Sequence, residues 1–306
     1  MPAPSPAAPA QADRPLAGIA LRLTAVALLA VMFAAAKLAE ARGARLAEIL
    51  FWRQAVAVPV VLAWVLAGPG LASLSTARPG AHVRRMVVGL SGMACNFGAV
   101  LLLPLAEATT FGFTVPIFAT ILSALVLGEA TGLHRWAAVA MGFVGVLIVL
   151  QPGGGHVAAV GAAVALAGAI LTAVVTILIR DLGRSERATT IVFWFTVSSL
   201  VPLGIALPFF WQPHDAVGWA LLVAVGVSGG LAQLALTAAL RLAPVAVVVP
   251  MDYTSLIWAS ALGWWLFGAL PAPLTWAGAP VIVASGLYIV WREHRLRRAE
   301  TAAVVD

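Results

Sequence analysis

Apolar runs of about 20 residues follow one another through almost the whole chain, and nothing else in it constrains the fold so strongly. Each is long enough to cross a hydrocarbon core of about 30 Å as an α-helix. Ten such spans can be counted: 16–38, 47–68, 85–104, 107–127, 135–151, 157–179, 189–209, 217–239, 244–267 and 274–291. The runs are too long and too unalternating for barrel strands, and lipid cannot satisfy an open backbone. Connections are short, marked by Gly-Pro-Gly at 68–70, Gln-Pro-Gly-Gly-Gly at 151–155 and Pro-Ala-Pro at 271–273, which leaves no linker able to hold a soluble domain. A composition of 62% hydrophobic and 10% charged residues agrees, since soluble domains carry about 25% charge. The expected fold is an all-α integral membrane protein. Residues 1–13 read as a Pro/Ala tail without a cleavable signal.

One stretch occurs twice. Residues 89–106, GLSGMACNFGAVLLLPLA, align with 226–243, GVSGGLAQLALTAALRLA, at a shift of 137, which superposes Gly89, Ser91 and Gly92 on Gly226, Ser228 and Gly229. The one amide of each copy, Asn96 and Gln233, falls on the same register, and further on Gly128 meets Gly268 and Trp136 meets Trp276 at a shift of 140. The blocks lie in spans three and eight, five crossings apart. Five is odd, so the second copy enters the bilayer from the opposite face. The expected architecture is ten transmembrane helices in two inverted five-helix repeats, 16–152 and 153–292, between a disordered tail, 1–15, and a cytoplasmic tail, 293–306. Secondary transporters are often built this way, with a shared site near the midplane.

Basic residues set the orientation. With the N-terminus in the cytoplasm, fourteen arginines (14, 22, 78, 84, 85, 135, 180, 184, 187, 241, 292, 295, 297 and 298) lie inside, and only Lys37, Arg42, Arg45 and Arg53 lie outside. Both termini are then cytoplasmic, and the net charge of +6 reads as orientation charge rather than a nucleic-acid surface.

Polar residues inside spans are the site candidates. Gly226, Gly230, Gln233 and Thr237 form one helical stripe, Gly89, Gly92 and Asn96 a second, Asp252, Ser255, Ala259 and Gly263 a third, and Thr110 with Thr114 a shorter fourth. They read either as walls of a central cavity or as small and hydrogen-bonding residues that hold helices together. Asp252 is the one carboxylate well inside a span, so it needs water or a partner; it could bind a cation or a coupling proton, or pair with an arginine near the cytoplasmic end. Tyr253 and Trp258 could stack on a flat substrate, although tryptophans also anchor at membrane interfaces. Lys37 and Arg53 could face an outer vestibule that attracts anions, or snorkel to headgroups. Pro116 and Pro250 interrupt matched spans four and nine, as a hinge or gate would. Cys95 reads as an apolar packer. No phosphate-binding loop, no histidine pair at metal-ligand spacing and no nucleophile elbow is present, so no cofactor is expected.

The runs LAEATTFGFTVPIFATILSALVLGE at 105–129, RWAAVAMGFVGVLIVLQP at 135–152 and RLAPVAVVVPMDYTSLIWASALGWWLFG at 241–268 resemble the drug/metabolite transporter superfamily, specifically its EamA-type members. The Met-Asp-Tyr-Thr-Ser-Leu-Ile-Trp segment is most similar to a subgroup that includes riboflavin and S-adenosylmethionine uptake proteins. The resemblance implies a bacterial inner-membrane location, a central cavity and transport without ATP hydrolysis. One departure stands out: the first half ends Leu-Gly-Glu at Glu129 where the second ends Phe-Gly-Ala at Ala269, so a role needing matched glutamates is in doubt.

The expected activity is therefore secondary transport of a small organic metabolite, with Asn96, Thr110, Thr114, Gln233, Asp252, Tyr253 and Trp258 around the substrate. Asn96 and Gln233 would bond its polar edges. A proton or counter-substrate, and a homodimeric state, remain open partners. Export of amino acids or amphipathic drugs is the alternative within the fold. An intramembrane lipid-modifying enzyme is the alternative outside it, and it lacks the cluster of ionisable groups that such chemistry needs.

Overall fold

The computed structural model describes residues 14–126, 132–150, 158–243 and 245–305. The N-terminal tail before Arg14, Glu129 and the 151–155 turn lie outside the described residues. Helices α1 (Pro15–Ala41), α2 (Leu46–Ala67) and α3 (Pro79–Leu102) make the first three crossings. The fourth is split into α4 (Leu105–Gly112) and α5 (Val115–Val126). Helices α6 (Leu133–Leu150), α7 (Ala159–Leu182), α8 (Ala188–Phe210) and α9 (Ala216–Leu242) follow. The ninth crossing is again split, into α10 (Val245–Val248), a 3-10 segment (Val249–Thr254) and α11 (Ser255–Phe267). Helix α12 (Pro273–Val305) closes the chain.

Proline explains both the starts and the splits. Helices α1, α3 and α12 begin at Pro15, Pro79 and Pro273, where a missing N–H costs nothing. Pro116 and Pro250 instead fall inside crossings four and nine and cannot bond the carbonyl four residues back. The helix gives way just before Pro116, and around Pro250 it tightens to 3-10. Helix α12 runs on past the span to Val305, so the C-terminal segment is helical rather than a loose tail; its Arg, Glu and Ala residues are good helix formers. Among the described residues, nine segments are long and apolar enough to cross a membrane; the ninth crossing falls short of that test, its longest α-helix being the 13-residue α11.

Packing repeats the symmetry of the sequence. Helix α3 packs on α7 as α1 packs on α9, and α3 meets α8 as α9 meets α2. Exchanging the halves maps α2 and α8 onto each other, and likewise α6 and α12; both of these pairs are in contact. The α6–α12 crossing is close enough to exclude side chains at its centre. A Cβ on Gly145 would lie 2.7 Å from Ile282, and one on Gly278 would lie 2.7 Å from the Gly145 carbonyl; small residues allow this approach. Ten crossings place both termini on one face, called here the terminal face.

Candidate functional site

The two broken crossings meet. Helix α4 packs against α11, and the Phe113 and Tyr253 rings, one from each break, touch edge-on with centroids 5.0 Å apart. Unwound backbone at membrane depth leaves carbonyls that need donors, and local hydroxyls supply them. Thr114 Oγ1 donates to the Phe111 carbonyl at 2.6 Å, Thr110 Oγ1 to Ala106 at 2.8 Å, and Thr254 Oγ1 to Met251 at 2.7 Å. Thr110 and Thr114 are buried with their hydroxyls so engaged, and they support the break rather than face open space.

Asp252 has a partner. Arg22 Nε donates to Oδ1 at 2.6 Å and Nη2 to Oδ2 at 2.5 Å, a two-pronged pair tying α1 to the 3-10 segment of crossing nine. The arginine side chain is 11% exposed and the aspartate 39%, so one edge of the carboxylate stays open. The sequence offers an arginine near the cytoplasmic end as one partner for Asp252, and Arg22, seven residues inside α1, is that arginine.

Below the break in crossing four lies a vestibule of about 270 Å³, lined by Pro116, Thr120, Ser123, Arg135, Thr176 and Arg180 among others. The lining runs along α5 from its start at Pro116 to Ser123 and takes in the C-terminal part of α7 and the first turn of α6, towards the terminal face. Shifted by 140 residues, Thr120, Ser123 and Arg135 fall on Ser260, Gly263 and Thr275, and all three of those are buried. The opposite face is held shut by polar contacts. Glu107 accepts from the Ala272 backbone N–H at 3.0 Å. Lys37 Nζ donates to the carbonyls of Val100, Leu101 and Leu103 at 2.8, 3.3 and 2.9 Å.

Lys37 thus caps the C-terminus of α3, where last-turn carbonyls lack intrahelical donors, and it does not face a vestibule. Replacing it by Met should lower stability by about 1.5–3 kcal/mol, the range for hydrogen bonds from a charged donor. Thermal unfolding in detergent checks this; an unchanged midpoint would mean that water replaces the ammonium.

The other candidates separate. Asn96 Nδ2 donates to Thr172 Oγ1 at 3.1 Å, and its carboxamide lies against Gly168, so its amide joins α3 to α7. Gln233, its repeat mate, lines a small pocket with Arg53. Arg53 therefore lies within the bundle, not in an outer vestibule. Trp258 is 43% exposed and shares a stripe with Ile257, Trp264 and Trp265, all exposed; it faces the bilayer and stands apart from Tyr253. A further groove, about 520 Å³, lies between α6 and α12 and is lined mainly by apolar side chains such as Met141, Val281 and Tyr288.

The matched breaks, the paired repeats and a vestibule open at one face define a membrane transporter. The EamA-like transporter family matches residues 16–151 and 159–291, and the chain belongs to that family. It is 29% identical over 293 residues to a riboflavin transporter of Vibrio cholerae, covering 94% of this chain and 98% of that protein. It is 30% identical over 269 residues to the pseudopaline exporter CntI of Pseudomonas aeruginosa, covering 88% and 94%. A solved crystal structure shares the fold with a TM-score of 0.60 at 20% identity, over 87% of this chain and 96% of that one. The protein is a multi-pass small-molecule transporter and not an enzyme.

Proposed function

We propose that the protein is a secondary transporter that carries a small organic metabolite across the bacterial inner membrane by alternating access, without ATP hydrolysis, with both termini in the cytoplasm. One observation carries this reading: Ser123 and Arg135 are half-buried in a vestibule at the terminal face, whereas their repeat mates Gly263 and Thr275 are buried at the other. Thr120, deeper in the vestibule, is buried like its mate Ser260. Inverted repeats that differ only in which end is open can exchange conformations, and the exchange moves the opening to the other face. Residues 16–152 and 153–292 are the two units that would exchange. The riboflavin and pseudopaline relatives support a small organic solute, and the exporter among them favours outward movement as a second reading. Asp252 is held by Arg22 here, so a coupling proton or counter-substrate at Asp252 requires that pair to open during the cycle.

Paired cysteines test the exchange. With Cys95 replaced by Ser, Ser123→Cys should react with a membrane-impermeant maleimide from the terminal face. Ser260→Cys should react slowly from the opposite face, at a rate that ATP does not change. Failure of Ser260→Cys to react from that face at any temperature would end the alternating-access reading.

A further inference from the structure

Helices α2, α3, α8 and α9 enclose a second, smaller pocket of about 40 Å³, lined by Arg53, Arg85, Phe195, Thr196, Gly229 and Gln233 among others. Repeat exchange swaps α2 with α8 and α3 with α9, so the pocket is framed by two repeat-related pairs of helices. It contains two guanidinium groups and no acid. Arg85 is 9% exposed, and its Nε and Nη1 have no hydrogen-bond partner. Its guanidinium carbon lies 3.7 Å from the Phe195 ring centroid. Arg53 Nη1 donates to Gln54 Oε1 at 2.5 Å, while Arg53 Nε and the Gln54 amide nitrogen are buried without partners. The buried and half-buried acids among the described residues are engaged elsewhere: Glu48 by His214, Glu107 by the Ala272 N–H, Asp181 by Arg78, Glu186 by Thr76 and Asp252 by Arg22.

Two like charges inside a membrane, with donors unsatisfied, are unfavourable unless something negative completes them. A glycine makes room for one of them. A Cβ on Gly89 would stand 2.5 Å from Arg85 Nη1 and 2.9 Å from Phe195, whereas one on Gly229 would meet Met32 at 2.8 Å and stand at ordinary contact, 3.4 Å, from Arg53 Nε. Gly89 of the first G-x-S-G block therefore admits Arg85, and Gly229 of the second lies beside Arg53. Guanidinium groups match carboxylate and phosphate through parallel N–H donors. The pocket's volume accommodates a few water-sized groups, enough for an anionic head and not for a whole metabolite.

We propose that Arg53 and Arg85 bind the carboxylate or phosphate group of an organic anion, and that such an anion is the transported substrate. The proposal rests on the transport reading above and adds the chemical class of its cargo. Thermal unfolding of the purified protein in detergent tests it, with sodium succinate and inorganic phosphate as probes and choline chloride and glucose as controls at matched ionic strength. A ligand bound to the folded state raises the midpoint. Succinate or phosphate should raise it by several degrees, and choline and glucose should not. Arg53→Gln and Arg85→Gln should each abolish the shift, and each should raise the anion-free midpoint by removing an uncompensated charge. Arg85→Lys keeps the charge without the fork and serves if the Gln variants do not fold; its half-saturating anion concentration should rise at least tenfold. No shift with either anion, or an undiminished shift in the variants, overturns the proposal. Stabilisation by phosphatidylglycerol vesicles and not by succinate or phosphate, lost in the same variants, keeps the anion site and assigns its occupant to a lipid headgroup, which overturns the cargo assignment. The paired cysteines keep the two readings apart. Alternation without anion binding defeats only the anion site, and anion binding without alternation defeats only the carrier.

Discussion

Asp252→Asn is expected to lower the unfolding free energy by about 2–3 kcal/mol and to make crossing nine more mobile at its break. Breaking a fully buried ion pair typically costs about 3–5 kcal/mol because one charge is left unpaired. The aspartate side chain is 39% exposed, so screening reduces that figure. Arg22 is the member left stranded at 11% exposure, and its two donors at 2.6 and 2.5 Å lose their acceptor charge. The double variant Arg22→Met/Asp252→Leu should recover most of the loss, since apolar replacement of a paired charge is often neutral or better. Thermal unfolding of the three proteins measures this. A double variant no more stable than Asp252→Asn would show that the pair has no energetic coupling. Hydrogen exchange at 249–254 should rise in the single variant and stay near wild type elsewhere. Because the pair holds α1 to the unwound segment, transport should fall further than stability does.

His214→Ala should be more damaging, by about 3–4 kcal/mol. Glu48 is fully buried in the first turn of α2 and His214 is 1% exposed just before α9, with His214 Nε2 and Glu48 Oε1 2.8 Å apart. The other carboxylate oxygen already lacks a partner, so removal of the histidine leaves the acid with no side-chain donor. The helix N-terminus offers the carboxylate some compensation, which keeps the estimate from the top of the range for a fully buried pair. The Trp219 ring meets His214 edge-on at 5.7 Å, and Trp52 and Trp211 pack against Trp219, the Trp52 ring edge-on at 5.0 Å. The contact therefore fastens α2 to α9 at the face away from the termini. Thermal unfolding in detergent reads the loss. His214→Gln, which retains a donor, should restore part of it; a wild-type midpoint in His214→Ala would mean that a water replaces the imidazole.

What could be read before any coordinates follows from the bilayer. Hydrocarbon demands long apolar helices with internally satisfied backbones, so crossings and their ends appear in a linear string of residue types. Inversion was equally legible, because parity of crossings between Gly89-x-Ser91-Gly92 and Gly226-x-Ser228-Gly229 needs only counting. Pro116 and Pro250 likewise announced breaks, since a missing N–H acts locally. Side-chain partners were not legible in this way. Asn96 and Gln233 share a register, yet one bonds Thr172 and the other lines the arginine pocket. Trp258 lies on the lipid side of α11, which its neighbour Tyr253 did not foretell.

The sequence by itself determined the membrane-spanning class, the number of crossings, the inverted duplication and the two proline-interrupted crossings, because each depends on local chemistry repeated along the chain. Only the tertiary structure decided that Arg22 answers Asp252, that Lys37 caps α3 and that Arg53 meets Arg85. Those pairings join residues far apart in the chain, and long charged side chains reach whichever neighbour the helix packing presents.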